Sequence, residues 1–247
     1  MRYAIISDIH SNLEALQAVL KAIESLNIDQ IICLGDIVGY GPDPNQCLEL
    51  VRKKCELILA GNHDFACIDS SELENFTQYA KAAIEWTVPK LTLESFRQLA
   101  ALPLTGEIES CYLVHANPGD PRSWDYILTL SDARYYFSQY PKEFQICFIG
   151  HSHRPIIFLE QMGQDWPHYH IYTSARLELE PQHRYIINVG SVGQPRDGNP
   201  AAAFGILDTA LQLFEEQRVP YDVNRTYQKI ISAGLPEFLA DRLLVGR

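Results

Sequence analysis

The chain of 247 residues is 47% apolar and 21% charged, which is typical of a globular domain and excludes a disordered or fibrous chain. Its net charge of −11 argues against a protein that binds long nucleic acid, whereas a small anionic substrate stays compatible because bound metal ions can reverse the local field. No signal-peptide pattern precedes the first strand and no apolar run approaches the ~18 residues that span a bilayer, so we expect a cytoplasmic protein without a membrane segment.

The first quarter of the chain alternates short apolar runs with amphipathic segments. Strands are predicted at residues 3–7, 31–34 and 57–60. A capping box of Ser11 and Glu14 begins a helix that reaches about residue 26, and Asp43 followed by Pro44 begins a second helix that reaches about residue 53. This order predicts parallel strands whose carboxyl ends meet at one edge, which is where open α/β sheets bind ligands.

A helical insertion beside that edge is expected at about residues 66–104. Ser71 and Glu74 form a second capping box, which begins a helix that ends by Pro89, and a shorter helix follows at about residues 93–101. No linker or repeat divides the chain, so residues 1–247 are expected to form a single domain that carries this insertion. The aromatic side chains of the insertion are expected to be core residues rather than a binding surface: Phe76, Tyr79, Trp86 and Phe96.

The second half of the chain is predicted to be rich in strands. Strands at residues 111–114 and 146–149 flank a helix at residues 131–140. From Pro155 onward the pattern suggests a second, largely antiparallel sheet, and two helices at residues 223–233 and 236–244 follow it. The strands of this second sheet are predicted at residues 156–159, 170–172, 185–189, 204–207 and 211–214. The expected architecture is an α/β fold with a β-sandwich flanked by helices.

Metal-binding residue types follow several of these strands at the point where each strand ends. In extended backbone, residues i and i+2 point the same way, so Asp8 and His10 can converge on one ion, as can His151 and His153. Nitrogen and oxygen donors in this number suit two neighbouring divalent ions that share a carboxylate. Five strand ends supply seven candidate ligands: Asp8, His10, Asp36, Asn62, His115, His151 and His153.

Each of these positions also has a purely structural interpretation. Asp8, Asp36 and Asn62 are residue types that cap helices and turns, and a single histidine is often a hydrogen-bonded structural residue. However, five of the eight histidines fall in these strand-end segments, beside Gly, Asp or Asn. The joint pattern therefore favours a metal site over a set of separate structural roles.

Five short blocks occur in order along the chain: Asp8-x-His10, Gly35-Asp36, Gly61-Asn62-His63-Asp64, His115 and Gly150-His151-Ser152-His153. They resemble the signature blocks of the calcineurin-like metallophosphoesterase superfamily. Residues 39–44, 190–198 and 219–222 extend the resemblance to its small bacterial and archaeal phosphodiesterase-type subgroup, so that it covers nearly the full length. The resemblance implies a four-layer α/β/β/α sandwich, in which two mixed sheets are flanked by helices and a two-metal site lies at the strand ends.

The family pattern also implies a role for each residue of the blocks. His63 would be the general acid, and Asp64 would orient its imidazole. The donor types suit Mn²⁺, Fe²⁺, Zn²⁺, Co²⁺ or Ni²⁺ without distinguishing among them. Where relatives often carry Ser-Pro-Arg-Asp-Pro, this chain has Gly119 in place of the arginine, although Arg122 is close by. One ion would be bound by Asp8, His10, Asp36 and His153, and the other by Asp36, Asn62, His115 and His151, with Asp36 as the bridge.

The resemblance implies a metal-dependent phosphoesterase in which a metal-bridging hydroxide attacks phosphorus while His63 protonates the leaving oxygen. Arg196 is the first candidate to clamp phosphate, with a solvated arginine in a tight turn as the alternative. Tyr40 is a candidate to flank the substrate, with a packed loop tyrosine as the alternative. The substrate is expected to be a small phosphorylated molecule: phosphodiesters, nucleotides, dinucleoside polyphosphates and phosphoprotein monoesters all remain open. The sequence does not predict the oligomeric state.

Two other functions are compatible with the same residues. A non-catalytic interaction scaffold could keep this fold, but a scaffold has no need for a general acid such as His63. A metal-dependent nuclease is the third interpretation. The lack of a basic groove disfavours long nucleic acids, though not dinucleotides.

Overall fold

The computed structural model describes residues 1–162, 167–173 and 175–247. Its strands are β1 (Arg2–Ile6), β2 (Gln30–Cys33), β3 (Leu57–Ile58), β4 (Thr105–Ile108), β5 (Cys111–Val114), β6 (Ile146–Ile149), β7 (Ile156–Met162), β8 (Pro167–Tyr172), β9 (Arg176–Glu178), β10 (His183–Asn188), β11 (Ala202–Asp208) and β12 (Leu213–Val219). Its α-helices are α1 (Leu13–Ile23), α2 (Pro44–Lys54), α3 (Asn62–Ala66), α4 (Gln78–Thr87), α5 (Leu93–Ala100), α6 (Leu130–Phe137), α7 (Val223–Ser232) and α8 (Glu237–Val245), and 3₁₀ helices span Ser70–Asn75 and Val88–Lys90.

The strands form two six-stranded mixed sheets. The first sheet has the order β3-β2-β1-β11-β12-β9, in which β1, β2 and β3 are parallel and the remaining pairs are antiparallel. The second sheet has the order β4-β5-β6-β10-β7-β8, in which β5, β6 and β10 are parallel. The predicted parallel arrangement of the first three strands is confirmed, and their carboxyl ends meet at one edge.

Successive side chains of the strands face two different cores, because side chains alternate across a strand. In β1, Ala4 and Ile6 pack against α1 and α2, whereas Tyr3 and Ile5 pack against the second sheet. Helix α6 covers the outer face of the second sheet, where Phe137 lies in a third core. The order of layers is therefore helices, sheet, sheet and helix, with an apolar core between each pair of neighbouring layers. This is the four-layer sandwich that the family resemblance implied.

The prediction that the strands after Pro155 form one sheet is wrong. β11 and β12 join the first sheet, where β11 pairs antiparallel with β1. Every residue of β11 is buried, and a strand buried on both faces carries no pattern that tells which of two sheets it joins. The short strands β4 and β9 were not predicted; they are four and three residues long and include polar residues.

Helix α1 does not begin with the predicted capping box of Ser11 and Glu14. The N-cap of α1 is Asn12, whose Oδ1 accepts a hydrogen bond from the amide of Ala15 at 3.1 Å. Ser11 has a left-handed φ of 53°, and the Glu14 carboxylate pairs with Lys229 of α7 at 3.0 Å instead of reaching back to Ser11. The partner of Glu14 comes from a distant part of the chain, which is why the local motif did not reveal this contact.

Residues 66–104, which were predicted to be a helical insertion, contain the helices α4 and α5, but not the helix expected to begin at Ser71. The 3₁₀ helix that contains Ser71 ends before Phe76, whose backbone is extended, and α4 begins after its N-cap Thr77. Helix α4 packs on α7 and α8 through small residues such as Ala80 and Ala83. Within the described residues, no helix is long and apolar enough to cross a membrane.

Candidate metal centre

Five of the seven candidate ligands lie on tightly wound loops with left-handed backbone, so the expectation of extended geometry is wrong for them. A left-handed residue other than glycine costs roughly 1–2 kcal/mol, and several of them at one site indicate a functional constraint. Backbone hydrogen bonds hold the loops together, for example from the Asp8 amide to the Gly35 carbonyl at 3.0 Å. The left-handed φ angles are 54° at Asp8, 49° at His10, 53° at Asp36, 65° at His151 and 59° at His153.

The structure brings the predicted ligands together in two groups that share Asp36. In the first group, His153 Nε2 lies 3.2 Å from Asp8 Oδ1 and 3.1 Å from His10 Nε2. All members of both groups are buried. The first group is Asp8, His10, Asp36 and His153, and the second is Asp36, His115 and His151; the ligand atoms of each group lie within 4.8 Å of one another. Apart from Asn62, these are the two sets that the family pattern implies.

The Asp36 carboxylate lies between the two groups. Its Oδ1 accepts a hydrogen bond from the main-chain amide of His63 at 2.8 Å. Its Oδ2 lies 3.5 Å from His10 Nε2 in one group and 3.4 Å from His115 Nε2 in the other. One oxygen is therefore fixed by the backbone, and the other faces a histidine of each group, as a bridging ligand requires.

A hydrogen bond to a main-chain carbonyl orients each histidine of the two groups. The ring nitrogen in that bond carries the proton, so the opposite nitrogen presents its lone pair to the centre. His10, His115 and His153 thus offer Nε2, whereas His151 offers Nδ1. The bonds are His10 Nδ1 to Val38 at 3.2 Å, His115 Nδ1 to Leu34 at 3.0 Å, His153 Nδ1 to Gln194 at 2.6 Å and His151 Nε2 to Trp124 at 2.8 Å.

The residues present fit a pair of divalent cations. Among the described residues, the buried atoms Asn62 Oδ1 and His115 Nε2 have no hydrogen-bond partner. Burial raises the pKa of Asp8 to about 7. Burial works to lower the pKa of His115, but the carboxylates of Asp36, Asp8 and Asp64 together outweigh burial and the pKa rises to about 9. Two buried carboxylates thus need compensating positive charge, and oxygen and imidazole donors of this kind suit transition-metal ions.

Two glycines of the sequence blocks are required because backbone passes very close to the carboxylates. A Cβ atom on Gly61 would lie 2.1 Å from Asp36 Oδ1, and a Cβ atom on Gly150 would lie 2.5 Å from Asp8 Oδ2. Any larger residue at either position would displace a candidate ligand. The glycines of these blocks therefore have a steric explanation that is independent of family resemblance.

His63 is buried beside the first group and is held by packing. Its exposed fraction is 3%, and its ring centroid lies 4.4 Å from that of Tyr40, 4.9 Å from Phe76 and 4.7 Å from His10. Among the described residues, Nδ1 has no hydrogen-bond partner. Burial lowers the pKa of His63 to about 4.

Asp64 does not have the geometry that was expected for a residue that orients His63. Its Oδ1 accepts hydrogen bonds from the amides of Ile37 and Val38 at 3.0 and 3.1 Å, and its Oδ2 accepts one from the amide of Gly61 at 3.1 Å. The carboxylate is thus engaged by backbone N–H groups of the loops after β2 and β3. In the described part of the chain, Asp64 joins those two loops and makes no hydrogen bond to His63.

A cleft of about 190 Å³ lies over Asn62, His63 and His151. The insertion supplies one wall, which includes Phe76, and the loop after β5 supplies another, which includes Arg122, Trp124 and Tyr126. Phe76 was expected to be a core residue, yet it contacts both the core and His63. Arg122 also lines this cleft. It is the arginine close to Gly119, the position at which relatives often carry an arginine.

Tyr126 was not predicted as a site residue. Its ring stacks on that of His151 with 4.1 Å between centroids and 16° between planes, and 47% of the residue is exposed. It follows no strand end and belongs to no motif, so no local signal in the sequence marks it.

Arg196 and Tyr40, the two candidate substrate-binding residues, lie side by side next to the first group. The Arg196 amide donates to the His153 carbonyl at 3.1 Å, and its guanidinium carbon lies 5.7 Å from the Tyr40 ring centroid. The Arg196 Nη2 also donates to Gln194 Oε1 at 2.8 Å. Tyr40 is buried against His10 and His63, as expected for the alternative in which it is a packed loop tyrosine. It also lines the cleft.

A four-layer sandwich with two groups of ligands that share a carboxylate defines a class of metal-dependent phosphoesterases. The family profile of calcineurin-like phosphoesterases matches residues 1–180 of this chain. The chain therefore belongs to the calcineurin-like phosphoesterase family, whose members depend on two metal ions. Membership supports a hydrolase that acts on phosphate esters.

Individual relatives resemble the chain over its full length. An uncharacterized protein from Methanocaldococcus jannaschii is 40% identical over 252 residues, which cover 99% of this chain and 98% of the relative. The metallophosphoesterase from Sphaerobacter thermophilus has a crystal structure that is 39% identical, with a TM-score of 0.84 and coverage of 100% of this chain and 99% of that chain. A hypothetical protein from Pyrococcus horikoshii OT3 shares the fold at 21% identity, with a TM-score of 0.80 and coverage of 100% and 98%.

Proposed function

We propose that the chain is a dimetal-dependent phosphoesterase that hydrolyses small phosphorylated molecules: phosphodiesters, nucleotide-type substrates or phosphomonoesters. The observation that carries this proposal is the pair of buried ligand groups that share Asp36, beneath a cleft that His63 also lines. The cleft is small and the net charge is −11, so long nucleic acid is not the expected partner.

Seven residues would hold the metal ions: Asp8, His10, Asp36, Asn62, His115, His151 and His153. A pair of divalent ions would supply Lewis acidity at the phosphoryl oxygens and an activated water at neutral pH. Main-chain carbonyls fix the histidines and the His63 amide fixes Asp36, so the ligands need little rearrangement to bind. The donor types do not select among Mn²⁺, Fe²⁺, Zn²⁺, Co²⁺ and Ni²⁺.

His63 would donate a proton to the leaving oxygen, a role typically worth ~10²–10⁴ in rate. Burial holds its pKa near 4 in the protein alone, whereas a bound phosphate brings negative charge that favours the protonated form. Arg196 would contact a phosphoryl oxygen, and Tyr40 would support both Arg196 and His63 through its ring. Asp64 would hold the N-terminal end of α3, the helix that carries His63.

A non-catalytic scaffold is the alternative from another class. It would not need His63 in a cleft over the ligands, nor a buried oxygen such as Asn62 Oδ1 that has no hydrogen-bond partner among the described residues. We therefore favour the enzyme.

The test is a hydrolysis panel of phosphodiesters, nucleotides, dinucleoside polyphosphates and phosphopeptides, run with each of the five metals and with a metal-free control. We expect metal-dependent turnover of at least one class. The Asp36→Asn variant, purified in parallel, controls for contaminating phosphatases. Turnover that is equal in the variant and in the wild type, or absent with every metal and substrate, would contradict the proposal.

A further inference from the structure

A second cavity, of about 460 Å³, borders the candidate metal centre and is lined mainly by arginine. Its volume lies in the range of about 300–1,000 Å³ that is typical of small-molecule sites. The lining residues come from the loop after β6, the loop after β10 and the segment of α8 with the residues that follow it. They are Arg154, Arg196, Asp197, Gly198, Arg242 and Arg247.

Direct contacts join this cavity to the metal centre. Arg154 follows the candidate ligand His153, and its Nε donates to the Arg196 carbonyl at 3.0 Å. The Arg196 amide donates in turn to the His153 carbonyl at 3.1 Å. The cavity and the candidate centre therefore share the same two loops.

The cavity is cationic in a chain that is strongly acidic overall. The whole chain has 20 Lys and Arg against 31 Asp and Glu, yet four arginines line this one cavity. Asp197 is the acidic residue of the lining, and it is already paired with Arg218. Burial, with repulsion from Arg196, lowers the pKa of Arg242 to about 10. Bringing cations together in this way is unfavourable unless an anion lies between them.

The guanidinium groups retain donors for such an anion. Each guanidinium has five N–H donors. In the described part of the chain, Arg242 uses Nε for the main-chain oxygen of Arg247, Arg154 uses Nε for the main-chain oxygen of Arg196, and Arg196 uses Nε and Nη2 for Gln194. The remaining N–H groups can form paired hydrogen bonds with phosphate oxygens, the geometry in which arginine binds phosphate best.

We propose that this arginine cavity is an anion subsite that binds a second phosphate group of the substrate, so that preferred substrates carry at least one phosphate beyond the one that is hydrolysed. The inference rests on the proposed phosphoesterase function and narrows its substrate class. The second phosphate can belong to a continuous phosphate chain or to a separate phosphomonoester on the same molecule, since the arginines would recognise either group.

The test compares substrates that share one scissile bond. Thymidine 5′-(p-nitrophenyl phosphate) carries one phosphate. One partner substrate adds a 3′-phosphate, and another places the p-nitrophenyl ester at the end of a thymidine 5′-triphosphate chain. Products are separated by chromatography, so that p-nitrophenol release is distinguished from cleavage within the chain. The measured quantity is the preference, which is kcat/KM of each partner substrate divided by kcat/KM of the single-phosphate ester.

We expect the wild type to prefer one partner substrate by about tenfold or more, and Arg242→Gln to reduce that preference about tenfold, because a charge-assisted hydrogen bond is lost. Arg154→Gln, at an exposed position, should reduce the preference as well, and Arg242→Lys should retain more of the preference than Arg242→Gln. Arg97→Gln, an exposed arginine on α5, removes the same charge away from the cavity and should leave the preference unchanged.

The outcomes separate this inference from the proposed function. Hydrolysis of all three esters without any preference, or a preference that persists in both Arg242→Gln and Arg154→Gln, would overturn the subsite while the phosphoesterase stands. If Arg97→Gln lowers the preference as much as Arg242→Gln does, the preference depends on the overall charge of the protein and not on the cavity. That result would also overturn the subsite. Failure to hydrolyse any ester with any metal would remove the phosphoesterase and the subsite together.

Discussion

Replacing Gly39 with alanine should impair catalysis by moving His63 while leaving the candidate metal ligands in place. Gly39 has a φ of 87°, and a Cβ atom there would lie 2.4 Å from His63 Nδ1. The next nearest atoms, His63 Cγ and Cβ at 3.1 and 3.3 Å, belong to the same side chain. The substitution is therefore aimed at one imidazole.

The magnitude follows from two separate effects. Left-handed backbone at alanine costs roughly 1–2 kcal/mol of unfolding free energy. Ordinary contact begins near 3.4 Å, so the His63 ring must move by about 1 Å from its 2.4 Å approach. A misplacement of about 1 Å at a catalytic group can cost ~10² in rate. We thus expect a small loss of stability and a loss of about a hundredfold in kcat.

Gly234 provides a matched control, because it has a φ of 72° and a Cβ atom there would have no neighbour within 4 Å. The assay compares kcat for aryl phosphodiesters with good and poor leaving groups, together with metal content and the midpoint of thermal unfolding. Both variants should lose similar stability, but Gly39→Ala alone should lose turnover, most strongly with the poor leaving group. Equal turnover in the two variants would refute the reasoning that places His63 at the leaving oxygen.

Three further predictions address the centre itself. His63→Ala should keep metal content near wild type and reduce turnover of esters with poor leaving groups by ~10²–10⁴, measured by steady-state kinetics. Asp36→Asn should lose at least one ion in elemental analysis, because a neutral amide replaces the carboxylate shared by both ligand groups. Chelation should lower the unfolding temperature by about 5–10 °C relative to protein with metal at a hundredfold its dissociation constant, since such binding contributes about 2.7 kcal/mol and 1 kcal/mol corresponds to about 2–4 °C.

Each of these predictions has a contrary result. Unchanged turnover in His63→Ala would remove that residue from the acid role. Two ions at full occupancy in Asp36→Asn would rule out the bridging assignment. If chelation leaves the unfolding temperature unchanged, or lowers it equally in the wild type and in Asp36→Asn, metal binding at the buried carboxylates does not stabilise the fold.

The identity of the candidate ligands could be predicted because strand order decides which side chains meet. Parallel strands β1, β2 and β3 bring Asp8, Asp36 and Asn62 to one edge, whatever path the loops take. The same holds for His115 and His151 after β5 and β6. The manner in which they meet could not be predicted, because left-handed φ angles at residues such as Asp8 and His10 depend on hydrogen bonds to a neighbouring loop.

The contacts of Asp64 show a second limit of local motifs. Its position next to His63 suggested that it holds the imidazole, but neighbours on a helix point in different directions. Asp64 is at the third position of α3, where its carboxylate reaches the amide of Gly61 at the N-cap and the amides of Ile37 and Val38. A carboxylate at the start of a helix is well placed for such amides. What holds His63 is packing by Tyr40 and Phe76, which lie outside its own motif.

The candidate ligands and the cavity walls come from different parts of the fold, which explains why the chemistry was easier to predict than the substrate. The candidate ligands lie at strand ends, whose meeting follows from sheet order. The walls of the two cavities come from the insertion, the loop after β5 and helix α8, and these elements meet only through tertiary packing. A related chain can thus keep the same ligand groups and still differ in Phe76, Tyr126 or Arg242. Substrate preference should therefore follow changes in those elements, with Arg242 separating substrates by the number of phosphates they carry.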